Sequence, residues 1–183
     1  MNWNQITNAH RSGGGAELSF VCGTVMIDGN KLYVADTQLG LYQVVFAEVF
    51  PSYQAFTDQL SQRWPQAKVY SDDTLVAATV KRFGEKGMHD QPILTEGTPF
   101  QRSVWAALLE VKRGELATYS QIAQSLGRPT AVRAVASAIA ANELAVLIPC
   151  HRIVRKGGAL GGYRWGLERK QALIKQEAAA ELA

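Results

Sequence analysis

Between Leu18 and Ala47 apolar and polar positions alternate, and the turn-forming clusters Asp28-Gly29-Asn30 and Gln38-Leu39-Gly40 cut the stretch into three. A period of two gives a strand one apolar face, so three such runs joined by short turns predict an antiparallel meander. The period then changes. Tyr53, Phe56, Leu60 and Trp64 follow Pro51 at spacings of three and four, and Leu75, Val76, Val80 and Phe83 lie between a capping Asp72-Asp73 and Gly84. Two amphipathic helices are predicted there. From Lys86 to Glu96 no period survives and Gly87, Asp90, Pro92 and Gly97 mark a loop. A boundary in that loop makes residues 1–95 an N-terminal α/β domain, with 1–16 flexible around Ser12-Gly13-Gly14-Gly15, and 96–183 a second domain.

The second domain is mostly helical in pattern. Thr98 as N-cap, Pro99 in the first turn, apolar Phe100, Val104, Ala107, Leu108 and Val111, and Gly114 as stop define one helix. Ser120 is read as the cap of a short helix with Ile122, Ala123 and Leu126 inside and Gly127 closing it. After Arg128-Pro129-Thr130 a further helix runs from about Ala131 to Ala141. Two helices around so short a turn have the form of a helix-turn-helix. With Val132, Val135 and Ile139 buried, the second helix presents Arg133, Ser137 and Ala140 on another face. Small residues there mean either plain helix propensity or clearance for another surface. One long cation among them points to DNA.

Composition narrows the class. A chain of 183 residues, 47% hydrophobic and 19% charged, with a mean hydropathy of -0.08, can bury a core without disulfide or metal staples. The start, Met1-Asn2-Trp3-Asn4, lacks the basic and apolar regions of a signal peptide, and Leu144 to Pro149 is too short to span a bilayer. An intracellular, cytoplasmic protein with no membrane partner is expected, its Cys22 and Cys150 reduced. Residues 1–95 carry seven Lys/Arg against nine Asp/Glu, and residues 96–183 twelve against seven. The C-terminal half is therefore the one suited to an anion.

The chemistry concentrates in Asn142-Glu143-Leu144-Ala145-Val146-Leu147-Ile148-Pro149-Cys150-His151-Arg152-Ile153-Val154. An apolar run is predicted as a strand that ends at Pro149, which has no N–H for a sheet ladder, and delivers Cys-His-Arg at its end. A thiolate is a strong nucleophile, and a neighbouring imidazole can take the thiol proton directly or through a water. Side chains at i and i+1 of a strand point apart, which favours the water. A base of this kind needs an orienting partner. In the last helix Leu167, Ile174 and Ala178 mark an apolar face, with Glu177 one turn from Ile174. Glu177 alone reads as either a snorkelling surface residue or a paired one, and Cys150 alone equally as a small buried hydrophobe. Cys22, Cys150, His10, His89 and His151 have no metal-ligand spacing, and Gly157-Gly158 and Gly161-Gly162 lack the context of a phosphate loop. Neither a metal nor a cofactor is expected.

Pro149-Cys150-His151-Arg152, together with Thr118-Tyr119-Ser120-Gln121, Ala131-Val132-Arg133-Ala134-Val135, Asn142 and Gly162-Tyr163-Arg164-Trp165-Gly166 in this order, resembles the O6-alkylguanine-DNA alkyltransferases. The resemblance runs closely from Thr98 to about Glu181, and most resembles the alkyltransferase portion of bacterial Ada. It implies a ribonuclease H-like N-terminal domain and a winged-helix-like C-terminal one. It also implies irreversible, single-turnover transfer of an alkyl group from O6-alkylguanine, and less readily O4-alkylthymine, to Cys150. His151 would be the water-mediated base, Glu177 its orienter, Asn142 an organiser of the site and Arg152 a brace. Tyr119 would act on the target nucleotide and Arg133 would fill the vacated stack. The helix of Ala131 and Ser137 would enter the minor groove of double-stranded DNA, with the base flipped out. Ser120, Gln121, Ile153, Tyr163, Arg164 and Trp165 would complete the substrate and DNA contacts, Trp165 limiting bulky adducts. A monomer is expected, with cooperative binding along DNA left open.

Three rivals stay open on sequence alone. A non-repairing lesion binder would hold modified DNA and keep Cys150 free. A helix-turn-helix regulator would prefer one operator sequence. A cysteine hydrolase would turn over repeatedly.

Overall fold

The computed structural model describes residues 6–8, 14–85 and 92–180, and divides into two compact units between Glu96 and Gly97. The first is built on a six-stranded sheet in the order β1-β6-β4-β3-β2-β5, with β1 at Ile6–Asn8, β2 at Ser19–Ile27, β3 at Asn30–Thr37, β4 at Gly40–Phe46, β5 at Lys68–Ser71 and β6 at Ile93–Thr95. The antiparallel meander β2-β3-β4 forms its centre, turning at the residues expected. The parallel strands β5, β6 and β1 extend it on both sides. Gly40 permits one of these junctions. Its φ of +125° and the close approach of the Pro92 carbonyl, 2.2 Å from where a Cβ would sit, exclude a side chain. The Leu41 N–H donates to that carbonyl as β6 begins.

Helices α1 (Tyr53–Arg63) and α2 (Asp73–Glu85) complete the unit. Phe56, Leu60 and Trp64, predicted to share a face, pack with Phe20, Tyr33 and Tyr42 in an aromatic core. Three expectations change. Helix α2 runs through Gly84 to Glu85 instead of stopping there. The supposed loop contains β6, and the stretch expected to be flexible contains β1 and a hydrogen-bonded turn in which the Leu18 N–H reaches the Gly15 carbonyl. The other residues of 1–16 and 86–96 not named above as described lie outside the described residues. Strands of three or four residues are too short for a period of two to stand out, and pairing with established neighbours defines them.

The second unit holds α3 (Pro99–Leu109), α4 (Tyr119–Ser125), α5 (Val132–Ala140) and α6 (Leu167–Ala180), with a small parallel pair β7 (Ala117–Thr118) and β8 (Ile153–Val154). Thr98 caps α3 in the predicted way, its hydroxyl accepting from the Gln101 N–H while the Gln101 side chain accepts from the Thr98 N–H. The cap of α4 is Thr118, not Ser120. Thr118-x-x-Gln121 makes the same reciprocal box, so the Gln121 side chain is committed to the Thr118 N–H. The predicted strand before Pro149 is absent. Leu144 to Leu147 turn back on themselves, with the Ile148 N–H donating to the Leu144 carbonyl and Val146 at a φ of +66°. A β-branched residue in that conformation is strained. The turn survives because Asn142 takes up its polar groups.

On α6 the expected apolar face is wrong. Leu167 and Ala178 point to solvent, and the buried stripe is Lys170, Leu173 and Glu177. Two charges occupy that stripe because each finds partners inside the unit. Among the described residues no helix is long and apolar enough to cross a membrane.

A candidate thiol active site

Cys150 opens a 3-10 turn, Cys150–Arg152, that leads straight into β8. The thiol is 3% exposed, and burial pushes it up to about 11, even though an Asn142 hydrogen bond, local backbone N–H groups and the Lys170 charge pull the other way. At neutral pH it rests as a thiol. Cys22, buried on β2, is pushed up to about 12 by the same desolvation. Titration of the folded protein by thiolate absorbance should therefore show no thiolate below about pH 9, with both cysteines ionising above it. A thiolate signal appearing near pH 7 would contradict that balance.

Asn142 holds the turn and the sulfur together. Its Nδ2 donors are shared among the Leu144 carbonyl (3.2 Å), the Ile148 carbonyl (3.3 Å) and Cys150 Sγ (3.3 Å), while its Oδ1 accepts from the Leu144 N–H (2.9 Å). An amide with two donors and one acceptor oxygen can serve all of these at once, which no other small side chain does.

Next to the thiol, His151 Nε2 lies 2.9 Å from Glu177 Oε1, and Arg152 grips the same carboxylate through Nε and a terminal nitrogen, both at 2.9 Å. The other terminal nitrogen of Arg152 donates to the Val111 carbonyl at 2.6 Å, and the Gly114 N–H reaches Glu177 Oε2 at 3.4 Å. Burial opposes the charge on Glu177, but hydrogen bonds and charge from His151 and Arg152 outweigh it and bring the carboxyl down to about 2. A carboxylate accepts only, so Nε2 of His151 carries the proton and Nδ1 is the basic nitrogen. That Nδ1 is buried with no hydrogen-bond partner in the protein. It is available to receive a proton.

Above Cys150 is a cavity of about 270 Å³ lined by Tyr119, Ala136, Ile139, Ala140, Gly162, Tyr163 and Arg164. The Tyr163 hydroxyl is buried there without a partner, and burial holds the phenol protonated as a donor. Gly161, at a φ of +67°, lets the Tyr119 side chain lie against the backbone, its hydroxyl 2.9 Å from where a Cβ would stand. Lys170, fully buried, donates to the carbonyls of Ile153 (2.5 Å), Leu160 and Gly162 (3.2 Å), tying β8 to the cavity wall.

Sequence reasoning named Cys150, His151, Asn142, Glu177, Arg152, Tyr119, Tyr163 and Arg164, and these are brought together. Arg133 and Ser137 are exposed on α5, with Ala131 as its N-cap and Ser120 part-buried in the first turn of α4. Gln121 stays exposed on α4 while its Oε1 caps the helix. Two expectations need correction as direct contacts. Ile153 is fully buried, its carbonyl accepting from Lys170. Trp165 is buried edge-on against Tyr163, centroids 5.3 Å apart, and is not among the described residues lining the cavity. It backs the cavity wall at Tyr163. Lys170 was missed. The signal for Lys170 was its spacing of seven from Glu177, which puts the two on one helix face.

Comparison with known proteins agrees with this geometry. Residues 99–179 match the family model of the 6-O-methylguanine DNA methyltransferase DNA-binding domain. The chain is 40% identical over 156 residues to the regulatory protein ada of Salmonella typhimurium, a match covering 82% of this chain and 43% of that protein, so it spans less than half the length of that relative. It is 37% identical over 153 residues to a probable methylated-DNA-protein-cysteine methyltransferase of Acanthamoeba polyphaga mimivirus, covering 80% of this chain and 96% of the other. Among solved structures, that of Mycobacterium tuberculosis OGT in complex with DNA superposes with a TM-score of 0.66 at 28% identity, covering 87% of this chain and 93% of that one.

Proposed function

Because this chain belongs to the methylated-DNA-protein-cysteine methyltransferase family, we propose that it repairs DNA by moving the alkyl group of O6-alkylguanine, and less readily of O4-alkylthymine, onto its own Cys150. The observation that carries this reading is a buried thiol lining a cavity that Tyr163 also lines, followed directly in the chain by an imidazole that Glu177 holds at 2.9 Å and whose other nitrogen has no partner in the protein. Glu177 fixes the imidazole tautomer. As His151 Nδ1 receives the thiol proton, directly or through a water, the charge that develops on the ring is met by Glu177. The sulfur then attacks the alkyl carbon, the C–O bond breaks, and the electrons leave on O6 of guanine, where a donor such as Tyr163 stabilises them. The product is an S-alkylcysteine. A thioether offers no hydrolytic exit, so each molecule reacts once.

The nucleic-acid side of the proposal rests on α4 and α5. An alkyl carbon inside a stacked duplex is out of reach of the cavity, so the base must be flipped at a cost of roughly a few kcal/mol, lower for a poorly paired lesion. The exposed face of α5, with Arg133, Ser137 and Ala140, suits a minor groove that admits small residues and one inserted cation. Double-stranded DNA is accordingly the partner, Arg133 the group that fills the vacated stack, and Tyr119 the one that presses on the target nucleotide. The OGT structure was determined in complex with DNA, which supports DNA as the partner. In fold terms the meander, α1 and the parallel return of β5 beside β2 support a ribonuclease H-like unit. The α3–α5 bundle with β7 and β8 supports a winged-helix-like one.

The test is intact-protein and peptide mass spectrometry after mixing with a duplex containing O6-methylguanine. One added methyl per molecule, located on Cys150, is expected. Lesion binding with Cys150 unmodified would turn the reading to that of a lesion sensor.

A further inference from the structure

The cavity over Cys150 lies between two walls. One is the side of α5 formed by Ala136, Ile139 and Ala140; the other is Gly162, Tyr163 and Arg164. Lys170 anchors the second wall at the Gly162 carbonyl, and Trp165 backs it at Tyr163. Arg164 instead reaches across to the first wall. One terminal nitrogen donates to the carbonyl of Ala140, the last residue of α5, at 3.4 Å, and the other to Glu143 Oε1 at 3.3 Å. Both side chains are partly open to water, 44% and 25% exposed. The bonds are long and solvent-wetted, so this link can open, whereas the buried anchors at Gly162 and Tyr163 hold.

We propose that Arg164 and Glu143 form a clasp across the mouth of the cavity that sets how large an O6 substituent is admitted. The inference rests on the alkyl-transfer reading above. A methyl adduct adds little to the flat base and enters with the clasp shut. A benzyl adduct adds a second ring and needs the walls to part where Arg164 joins them. Glu143 is the member to change, because it lies outside the residues that line the cavity.

The experiment uses free bases, which removes DNA binding from the measurement. Second-order rates of Cys150 alkylation by O6-methylguanine and by O6-benzylguanine are compared for wild type, Glu143→Gln and Glu143→Ala, read by intact mass. Both variants should react with the methyl base at the wild-type rate, which also shows that they are folded. Benzyl transfer should rise about 1.4- to fivefold, the range expected when an exposed ion pair is removed. Added salt should raise the wild-type benzyl rate by screening the pair and leave Glu143→Gln flat. A benzyl-to-methyl ratio unchanged in both variants would overturn the clasp and leave size selection to the wall that Trp165 backs. Failure of the wild type to accept an alkyl group from either base or from alkylated duplex would instead remove the reading on which the clasp rests.

Discussion

Cys150→Ser is expected to abolish alkyl transfer while leaving the fold and lesion binding intact. The hydroxyl replaces the sulfur at the same place, where the Asn142 Nδ2 donor at 3.3 Å finds an oxygen as good an acceptor as the sulfur it loses. No cavity larger than the difference between sulfur and oxygen is opened, so the stability change should stay within about 1 kcal/mol. Chemistry is another matter. The resting thiol already needs a base to ionise, and a hydroxyl in the same apolar site is far weaker both as an acid and as a nucleophile at carbon. Intact mass after long exposure to O6-methylguanine duplex should show no adduct, and a binding assay should show the lesion retained. An adduct on the serine variant would place the acceptor elsewhere, Cys22 being the other thiol.

Glu177→Gln should be costly in both stability and rate. The carboxylate accepts from His151, twice from Arg152 and from the Gly114 N–H. An amide offers one oxygen and turns its NH2 toward those donors, while the buried guanidinium loses its counter-charge. Breaking a buried pair in this way costs about 3–5 kcal/mol, which for a chain of this size lowers Tm by roughly 6–20 °C. Losing the group that sets the His151 tautomer should slow transfer by about 100-fold or more. The sign of the pH effect follows from the lowered carboxyl. Its ionised form contributes stability above the ordinary carboxylate range, lost as pH falls through about 2. The stability gap between the wild type and the Gln variant should therefore narrow over that acid window. Adding Arg152→Met should return part of the lost stability by removing the stranded cation, and no recovery would refute the stranded-charge account. A Gln variant melting within 2 °C of wild type would show that the network carries little.

How far such a network can be read beforehand depends on where its order resides. The meander and five of the helices are local patterns, written in periods of two and of three to four with their turn residues beside them. The motif around Cys150 is local as well, and its likeness to a known family supplied Asn142 and Glu177. What escaped was set by contacts distant in sequence. Strands β1, β5 and β6 exist because of the neighbours they join. The turn from Leu144 to Leu147 is a local exception, an apolar run that looks like a strand until the nearby Asn142 is seen to satisfy its backbone. On α6 an apolar stripe was the natural expectation, since a buried Lys or Glu is unfavourable without a partner, and those partners are carbonyls and an arginine 8 to 25 positions away.

That arrangement gives the site a history. The ribosome releases a chain from its N-terminus, and folding follows domain by domain as residues emerge. Thiol, imidazole and guanidinium leave the tunnel together, 25 residues or more ahead of the carboxylate that completes them. Until α6 docks, a nascent chain carries a cysteine but no assembled reagent. Docking of that helix is the step at which synthesis becomes reactivity.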